Sequence, residues 1–431
     1  MPPVHTGAPV TSGASTASSP QPEAHSPGRP GYRRMSLALF AAGLATFALL
    51  YSTQALLPAI SAGFGVTAGQ ASWTVSAATG ALALFVLPLS ALSERFGRTR
   101  MMTWSMVIAV GVGLLVPFAP NLEWLVALRA VQGAAIAGIP ASAMAYLAEE
   151  VKPKALVGAI GLFVAGNSIG GMSGRIVTGW AAQLWGWRAG LLAVGLMALA
   201  CAAAFLVLLP RARFFRAASL NPRAVGRTVA GHLRDPLLLR LYGIGALFMT
   251  VFGAVYTVIG FRLVDAPFSL PQGVVGSVFL VYLVGTASSA AAGQLVARTG
   301  RRGALYLAVT TTALGLLLSL SDSLAAVLAG LVLITAGFFA GHAVASAAVS
   351  RTAKSGRAQA SALYQSAYYL GSSAGGTLGA LAYHASGWAA TVGIALLAVV
   401  GVAAITLYGS HAARVERARG GRLAAPAAAA R

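Results

Sequence analysis

Twelve apolar segments, set apart by short polar turns, restrict this chain more than any other feature. Their cores fall near 36–61, 71–92, 101–119, 124–148, 157–183, 188–210, 237–262, 273–297, 304–320, 324–349, 357–383 and 388–408. A helix needs roughly 20 residues to cross the ~30 Å hydrocarbon layer of a bilayer. Most of the segments reach that length, and the third and ninth are the shortest. Composition agrees: 57% of the 431 residues are hydrophobic and 9% are charged, against about 25% charged in a soluble domain. Such a chain cannot cover itself with a solvated surface, so lipid faces much of it. The expectation is an all-α membrane protein with 12 transmembrane helices in two six-helix bundles.

The formal charge of +21 invites a nucleic-acid reading, and its distribution argues against one. With the N-terminus inside, 26 of the 30 basic residues fall in inward loops and tails. Arg188 and Arg262 fall outside, and Arg129 and Arg175 fall within spans. The positive-inside rule then puts both termini in the cytoplasm. The basic charge is topology, and no nucleic-acid partner follows from it. The single cysteine, Cys201, excludes an internal disulfide and a metal site built on cysteines.

Residues 1–35 are rich in Pro, Ser, Ala, Gly and Thr without an apolar run. They read as a disordered cytoplasmic tail and not as a signal peptide. Residues 36–210 are expected to form an N-terminal six-helix bundle and 237–408 a C-terminal one. The polar segment 211–236, with six arginines and two prolines, reads as the cytoplasmic linker between them. Residues 409–431 read as a second disordered tail. The short loops and alanine-rich composition suit a bacterial inner membrane, and a monomer is the default.

A basic hairpin motif occurs twice. The first copy runs Ser90-Ala91-Leu92-Ser93-Glu94-Arg95-Phe96-Gly97-Arg98-Thr99-Arg100, and the second runs from Gly293 to Arg302 and contains Arg298, Gly300 and Arg301. Gly97 and Gly300 lie 203 residues apart. Gly166-Asn167-Ser168-Ile169-Gly170-Gly171 and Gly371-Ser372-Ser373-Ala374-Gly375-Gly376 lie 205 apart, and Gly186-Trp187 and Gly387-Trp388 lie 201 apart. Three concordant offsets indicate an internal repeat. Six spans per repeat give both halves the same orientation, which suits a pathway between them.

The loop Leu92-Ser93-Glu94-Arg95-Phe96-Gly97-Arg98 resembles the signature loop of the major facilitator superfamily. Arg129-Ala130-Val131-Gln132-Gly133 in span four resembles its Arg-x-x-Gln-Gly motif, and the Gly166–Gly171 run resembles the glycine-rich motif of its drug–proton antiporters. The stretch from Gly166 to Arg175 is similar to the YnfM-like efflux branch. The resemblance covers about 36–408. Ser90, Glu94, Thr99 and Asn167 depart from the commoner Gly, Asp, basic residue and Pro. The resemblance implies a secondary transporter that works by alternating access, with proton-coupled efflux of a drug or small metabolite ahead of uptake. Uptake or facilitated diffusion of a polar metabolite, and a non-transporting sensor or scaffold, are the alternatives.

Within that frame Glu94, Arg95, Gly97, Arg98, Arg298, Gly300 and Arg301 are expected to form gating loops. Gly97 permits a turn closed to most residues, and Glu94 can accept from backbone amides or pair with an arginine in one state only. A buried guanidinium costs a few kcal/mol in the membrane, so Arg129, with Gln132 at i+3, is expected to serve coupling or the substrate cavity. Its alternative is a structural arginine bonded to carbonyls. Arg175 is expected to be structural, snorkelling or paired with Glu123 or another outer-side acid. Tyr51, Gln54, Asn167, Tyr256, His342, Gln365 and Tyr368 are the remaining candidates for coupling or the cavity; Tyr364 stands beside them, and anchoring at the lipid interface is the alternative for the tyrosines, Tyr364 above all. Glu149 and Glu150 are expected to pair with Arg98 or Arg100. Gly166, Gly170 and Gly174, like Gly371, Gly375 and Gly379, repeat every four residues and read as helix-packing stripes. None of the nine acidic residues lies in the middle of a span. No Walker-type motif, His-Glu-x-x-His motif or nucleophile constellation occurs. No catalytic residue, metal or cofactor is therefore expected; the expected partners are the lipid bilayer, a small-molecule substrate and protons.

Overall fold

The computed structural model describes residues 24–26, 28, 30–215, 217 and 222–428, with side chains described to residue 409. Backbone polar groups cannot stay unpaired in hydrocarbon, and the chain meets that demand with helices. In order these are α1 (Pro30–Leu50), α2 (Leu57–Phe64), α3 (Ala68–Phe96), α4 (Arg98–Leu115), α5 (Leu122–Ile136), α6 (Pro140–Glu150), α7 (Pro153–Trp185) and α8 (Trp187–Leu208), then α9 (Pro222–Arg234), α10 (Pro236–Val264), α11 (Gln272–Ser277), α12 (Tyr282–Leu318), α13 (Leu324–Thr352) and α14 (Arg357–Ala428). No strand occurs among the described residues; His25 and Val151 form an isolated bridge.

Ten helical stretches of the described residues are long and apolar enough to cross a membrane. Two of them, Gln272–Leu318 with 47 residues and Arg357–Gly409 with 53, are about twice as long as one crossing needs. Each carries non-helical backbone near its middle, at Gly300 (φ +72°) and at Ser386 and Gly387 (φ −150° and +72°). Divided there, they bring the crossings to the twelve that the apolar segments predict. Gly97 (φ +103°) makes the corresponding turn between α3 and α4. An L side chain rarely adopts such a φ, which explains the glycine in both copies of the loop motif.

The glycine stripes close the core of each half in the same way. A β-carbon on Gly174 would stand 2.7 Å from Ala48 Cα, and one on Gly379 would stand 2.7 Å from Ala254 Cα. Gly166 and Gly170 press α7 onto the backbone of Phe40 and Leu44 in α1, and Gly371 and Gly375 press α14 onto that of Ala246 and Thr250 in α10. At each of these glycines a side chain would collide with the backbone of the facing helix.

Among the described residues three spans leave α-helical bonding partway: the stretch Gln272–Leu318 passes through a 3-10 turn at Val278–Val281, and the other two break ahead of a proline. Pro58 cannot donate to the carbonyl four residues back, and its ring crowds that carbonyl. The first span accordingly leaves α-helical bonding after Leu50, passes through a 3-10 turn at Gln54–Leu56 and resumes as α2. Pro140 does the same between α5 and α6. The apolar segment 36–61 reads as one unbroken helix, so this break departs from expectation.

The segment boundaries shift in three places. Much of the tail expected over 1–35 lies outside the described residues, but α1 begins at Pro30 and His25 pairs beside Val151. The segment expected as a linker over 211–236 holds the helix α9. Helix continues to Ala428, through most of the tail expected over 409–431.

Candidate substrate site and gates

The start of α1 and the end of the last span lie at one face, called here the terminal face; the α2–α3, α7–α8 and α10–α11 turns lie at the distal face. Among the described residues, every hydrogen bond between the two halves lies in the distal part of the spans. Ser76 donates to the Ser373 carbonyl at 3.1 Å, Ser373 donates back to the Ser76 carbonyl at 2.9 Å, and Thr377 reaches the Ser76 hydroxyl at 2.8 Å. Trp180 donates to Ser277 at 2.9 Å, and the Gly273 amide donates to Gln183 at 2.8 Å. Gln54 donates to Thr257 at 3.3 Å, and Gln272 donates to the Ala55 carbonyl. Gly179 and Gly276 let α7 and α11 touch backbone to backbone. At the distal ends of α2, α3, α10 and α14 a hollow of about 470 Å³ remains, lined in part by Ser61, Thr67, Phe261 and Tyr383.

Arg175 sits at the inner edge of this plug, 1% exposed. Gln54 Oε1 accepts from its Nε at 2.9 Å and from its Nη2, and the Gly171 carbonyl accepts from Nη1. The guanidinium carbon lies 4.4 Å from the ring centre of Tyr51, 4.7 Å from that of Phe279 and 5.0 Å from that of Tyr282. It thus touches both halves. The expectation that it snorkels or pairs with Glu123 is corrected: Glu123 is exposed and Arg175 is enclosed. Burying a charge with neutral partners alone is costly, and this arginine bears that cost where the two halves meet.

An aromatic wall runs from Arg175 through the second half. Tyr282 packs on Tyr256 (5.3 Å between ring centres) and on Phe252 (5.4 Å), Phe252 stacks on Phe338 (4.0 Å), and Phe338 stacks on His342 (6.0 Å). His342 meets Tyr368 at 4.6 Å. Its Nδ1 lies 2.9 Å from the Tyr364 hydroxyl, and Tyr364, 3% exposed, is an interior residue, which leaves its alternative as an interface anchor without support. The candidates Tyr51, Gln54, Tyr256, His342 and Tyr368 are thereby brought into one connected set with Arg175. Phe279 and Tyr282 escaped the sequence reading. Their only signal there was the aromatic density of α10 to α13.

Other candidates lie elsewhere. Arg129 and Gln132 are 0% and 1% exposed, inside the first half. Arg129 donates to the carbonyls of Thr74 (3.0 Å), Leu49 (2.7 Å) and Leu50, to Ser52 (3.3 Å) and to Gln132 Oε1. Gln132 donates to the Ala109 carbonyl at 3.0 Å. The break after Leu50 leaves the Leu50 carbonyl without an amide partner, and Arg129 supplies its donor, while the Leu49 carbonyl also accepts from the Ser52 amide at 3.2 Å. These bonds are the ones the alternative reading describes, a structural arginine bonded to carbonyls. Asn167 faces Gly43 of α1, and its Oδ1, like Gln365 Oε1, is buried without a protein partner.

At the terminal face Arg98 pairs with Glu149 at 3.1 Å, as expected, and also donates to Ser93 at 2.7 Å. Glu150 does not join them. Fully buried, it accepts from the backbone amides of Arg213 (2.6 Å) and Phe214 (2.9 Å). Glu94 has no hydrogen bond or ion pair among the described residues. Arg95 lies 5.7 Å over the ring of Phe96, and Arg298 and Arg301 are exposed.

The sequence carries the same message as this geometry. Residues 35–308 match the family model of the Major Facilitator Superfamily. The chain is 38% identical over 367 residues to the MFS-type transporter YybF of Bacillus subtilis, covering 85% of this chain and 91% of that one. It is 39% identical over 361 residues to the inner membrane transport protein YnfM of Escherichia coli, covering 84% and 87%. Its fold matches an inward-facing, occupied bacterial homologue of the human lysosomal transporter Spinster, with a TM-score of 0.73, 14% identity and coverage of 90% and 98%. The chain is therefore a multi-pass membrane transporter belonging to the major facilitator superfamily.

Proposed function

We propose that the chain exports a drug or small metabolite from the cytoplasm in exchange for protons, by alternating access. The halves 36–210 and 237–408 would rock about the Arg175 site, joined by 211–236. The terminal face is assigned to the cytoplasm, as the basic residues require, and an inner membrane suits the likeness to YnfM. One observation carries the reading: cross-half hydrogen bonds among the described residues gather in the distal plug from Ser76–Ser373 to Gln183–Gly273. A transporter closed on one side and free to part on the other has this arrangement.

Proton coupling needs a titratable group along the pathway. None of the nine acidic residues occupies a span interior, so His342 in the aromatic wall is the proposed carrier. Everted membrane vesicles with an imposed proton gradient test the whole reading. A compound that collapses the gradient only when the chain is present supports proton-coupled export. Gradient-driven accumulation in intact cells instead would reverse the direction to uptake. His342→Gln should retain exchange of labelled for unlabelled substrate while losing gradient-driven movement.

A further inference from the structure

Arg129 and Arg175 are equally buried, and neither has a carboxylate partner, yet their charges are answered differently. Arg129 faces the carbonyl end of a broken helix, where the helix dipole is negative, and its hydrogen-bond partners all belong to one half. Arg175 has Gln54, one carbonyl and three rings. Its hydrogen bonds use one donor hydrogen on each nitrogen. A guanidinium has five such hydrogens, so donors remain as well as the charge. The three ring faces attract the cation but carry no opposite charge, and an ion taken out of water is fully answered only by a counter-charge with good hydrogen bonds. Beside it the Tyr282 hydroxyl is buried without a protein partner.

Resting on the transport reading above, we propose that the substrate supplies the missing charge. It is an organic monoanion bearing an aromatic ring. Its anionic group takes the free Arg175 donors and the Tyr282 hydroxyl, and its ring lies on the wall between Phe252 and His342. The chemistry favours this class on three counts. A carboxylate accepts from the planar fork of a guanidinium. A cationic drug would add a second positive charge where no acidic residue lies. A neutral compound would leave the charge unanswered. The position also links recognition to gating. Tyr51 and Gln54 belong to the first half and Phe279 and Tyr282 to the second, so an anion bound here acts on the contacts that hold the distal plug shut.

The test is titration calorimetry on the purified full chain in detergent with benzoate, 2-naphthoate and indole-3-acetate, each against its neutral amide, and with 2-naphthylmethylammonium and octanoate. At least one aromatic anion should bind tenfold or more tighter than its amide, and tighter than octanoate. Arg175→Gln should remove the preference for anion over amide, and Arg175→Lys should keep part of it. Tyr282→Phe should weaken the anion several-fold and leave the amide unchanged, which decides the matter if the Arg175 variants do not fold. Equal binding of anion and amide, tightest binding of the ammonium compound, or an anion preference that survives Arg175→Gln would each overturn the proposal. Proteoliposomes separate it from the transport reading. An anion that binds through Arg175 but never moves leaves the site standing and removes export. Gradient-driven movement of a cation would keep the transporter and remove the anion site.

Discussion

Arg129 Nη1 donates to the Leu49 carbonyl at 2.7 Å, at the point where the first span leaves α-helical hydrogen bonding. Through Leu49, Leu50 and Thr74 the same side chain ties α1 and α3 to α5. Without it the Leu50 carbonyl and Gln132 Oε1 lose their donor, at about 1–3 kcal/mol for each orphaned buried acceptor. Arg129→Ala should therefore lose about 3 kcal/mol or more in reversible unfolding in detergent. Arg129→Lys, with a single nitrogen, should recover only part. A loss below about 1 kcal/mol for the alanine variant would contradict the capping role.

The α1–α7 and α10–α14 seams make a paired prediction. A β-carbon at Gly170 meets the Leu44 backbone and one at Gly375 meets that of Thr250, whereas one at Gly161 has open space around it. Gly170→Val and Gly375→Val should each cost at least about 1–3 kcal/mol, the usual range for overpacking. Gly161→Ala, in an open helical position, should be neutral or stabilising by roughly 0.5–1 kcal/mol. Thermal unfolding of the three variants side by side measures the contrast, and comparable losses at all three positions would refute it.

Glu94 has no partner among the described residues, in a conformation whose cross-half bonds all lie at the distal face. A latch that engages only in the opposite state costs this one nothing when it is removed. Glu94→Ala should therefore shift the population toward the distally closed state, about tenfold for each ~1.4 kcal/mol of lost contact. In a Cys201→Ala background, Gln365→Cys should react faster with a maleimide applied from the terminal face. Unchanged labelling would reduce the loop to a topological anchor.

These predictions rest unevenly on what the residues reveal in order. The spans and the duplication are legible because bilayer thickness fixes helix length and because Gly97 and Gly300 repeat with their basic neighbours. The stripes of Gly166 and Gly371 are legible because a period near four marks one helix face. The break after Leu50 is hidden, since apolar residues run through it and only Pro58 marks it. The Arg175 site is hidden for another reason. Tyr51, Phe279 and Tyr282 come from three separated elements of two halves, and no periodicity links them. In a nearly uniform apolar background, hydropathy does not say which face of a helix looks inward. Arg129 shows the converse: a family motif pointed to function, and the bonds it makes belong to the scaffold.

His25 lies outside the spans and straps the N-terminal segment to the end of α6. Its amide donates to the Glu150 carbonyl at 2.8 Å, and its carbonyl accepts from the Lys152 amide at 3.0 Å. Burial first and the nearby Arg213 second hold the imidazole below its ordinary 6.5, while Glu150 acts the other way. A depressed pKa means that protonation favours release. The strap is held fully above pH 6.5 and weakens as the pH falls toward the depressed value, by up to about tenfold for each unit of depression. Hydrogen exchange at the Lys152 amide, corrected for its intrinsic rate, should lose protection between pH 7.5 and 5.5. The His25→Gln chain, which has no imidazole to charge, should lose none over the same interval. Equal protection of the wild-type chain at both values would show that the strap does not respond to pH.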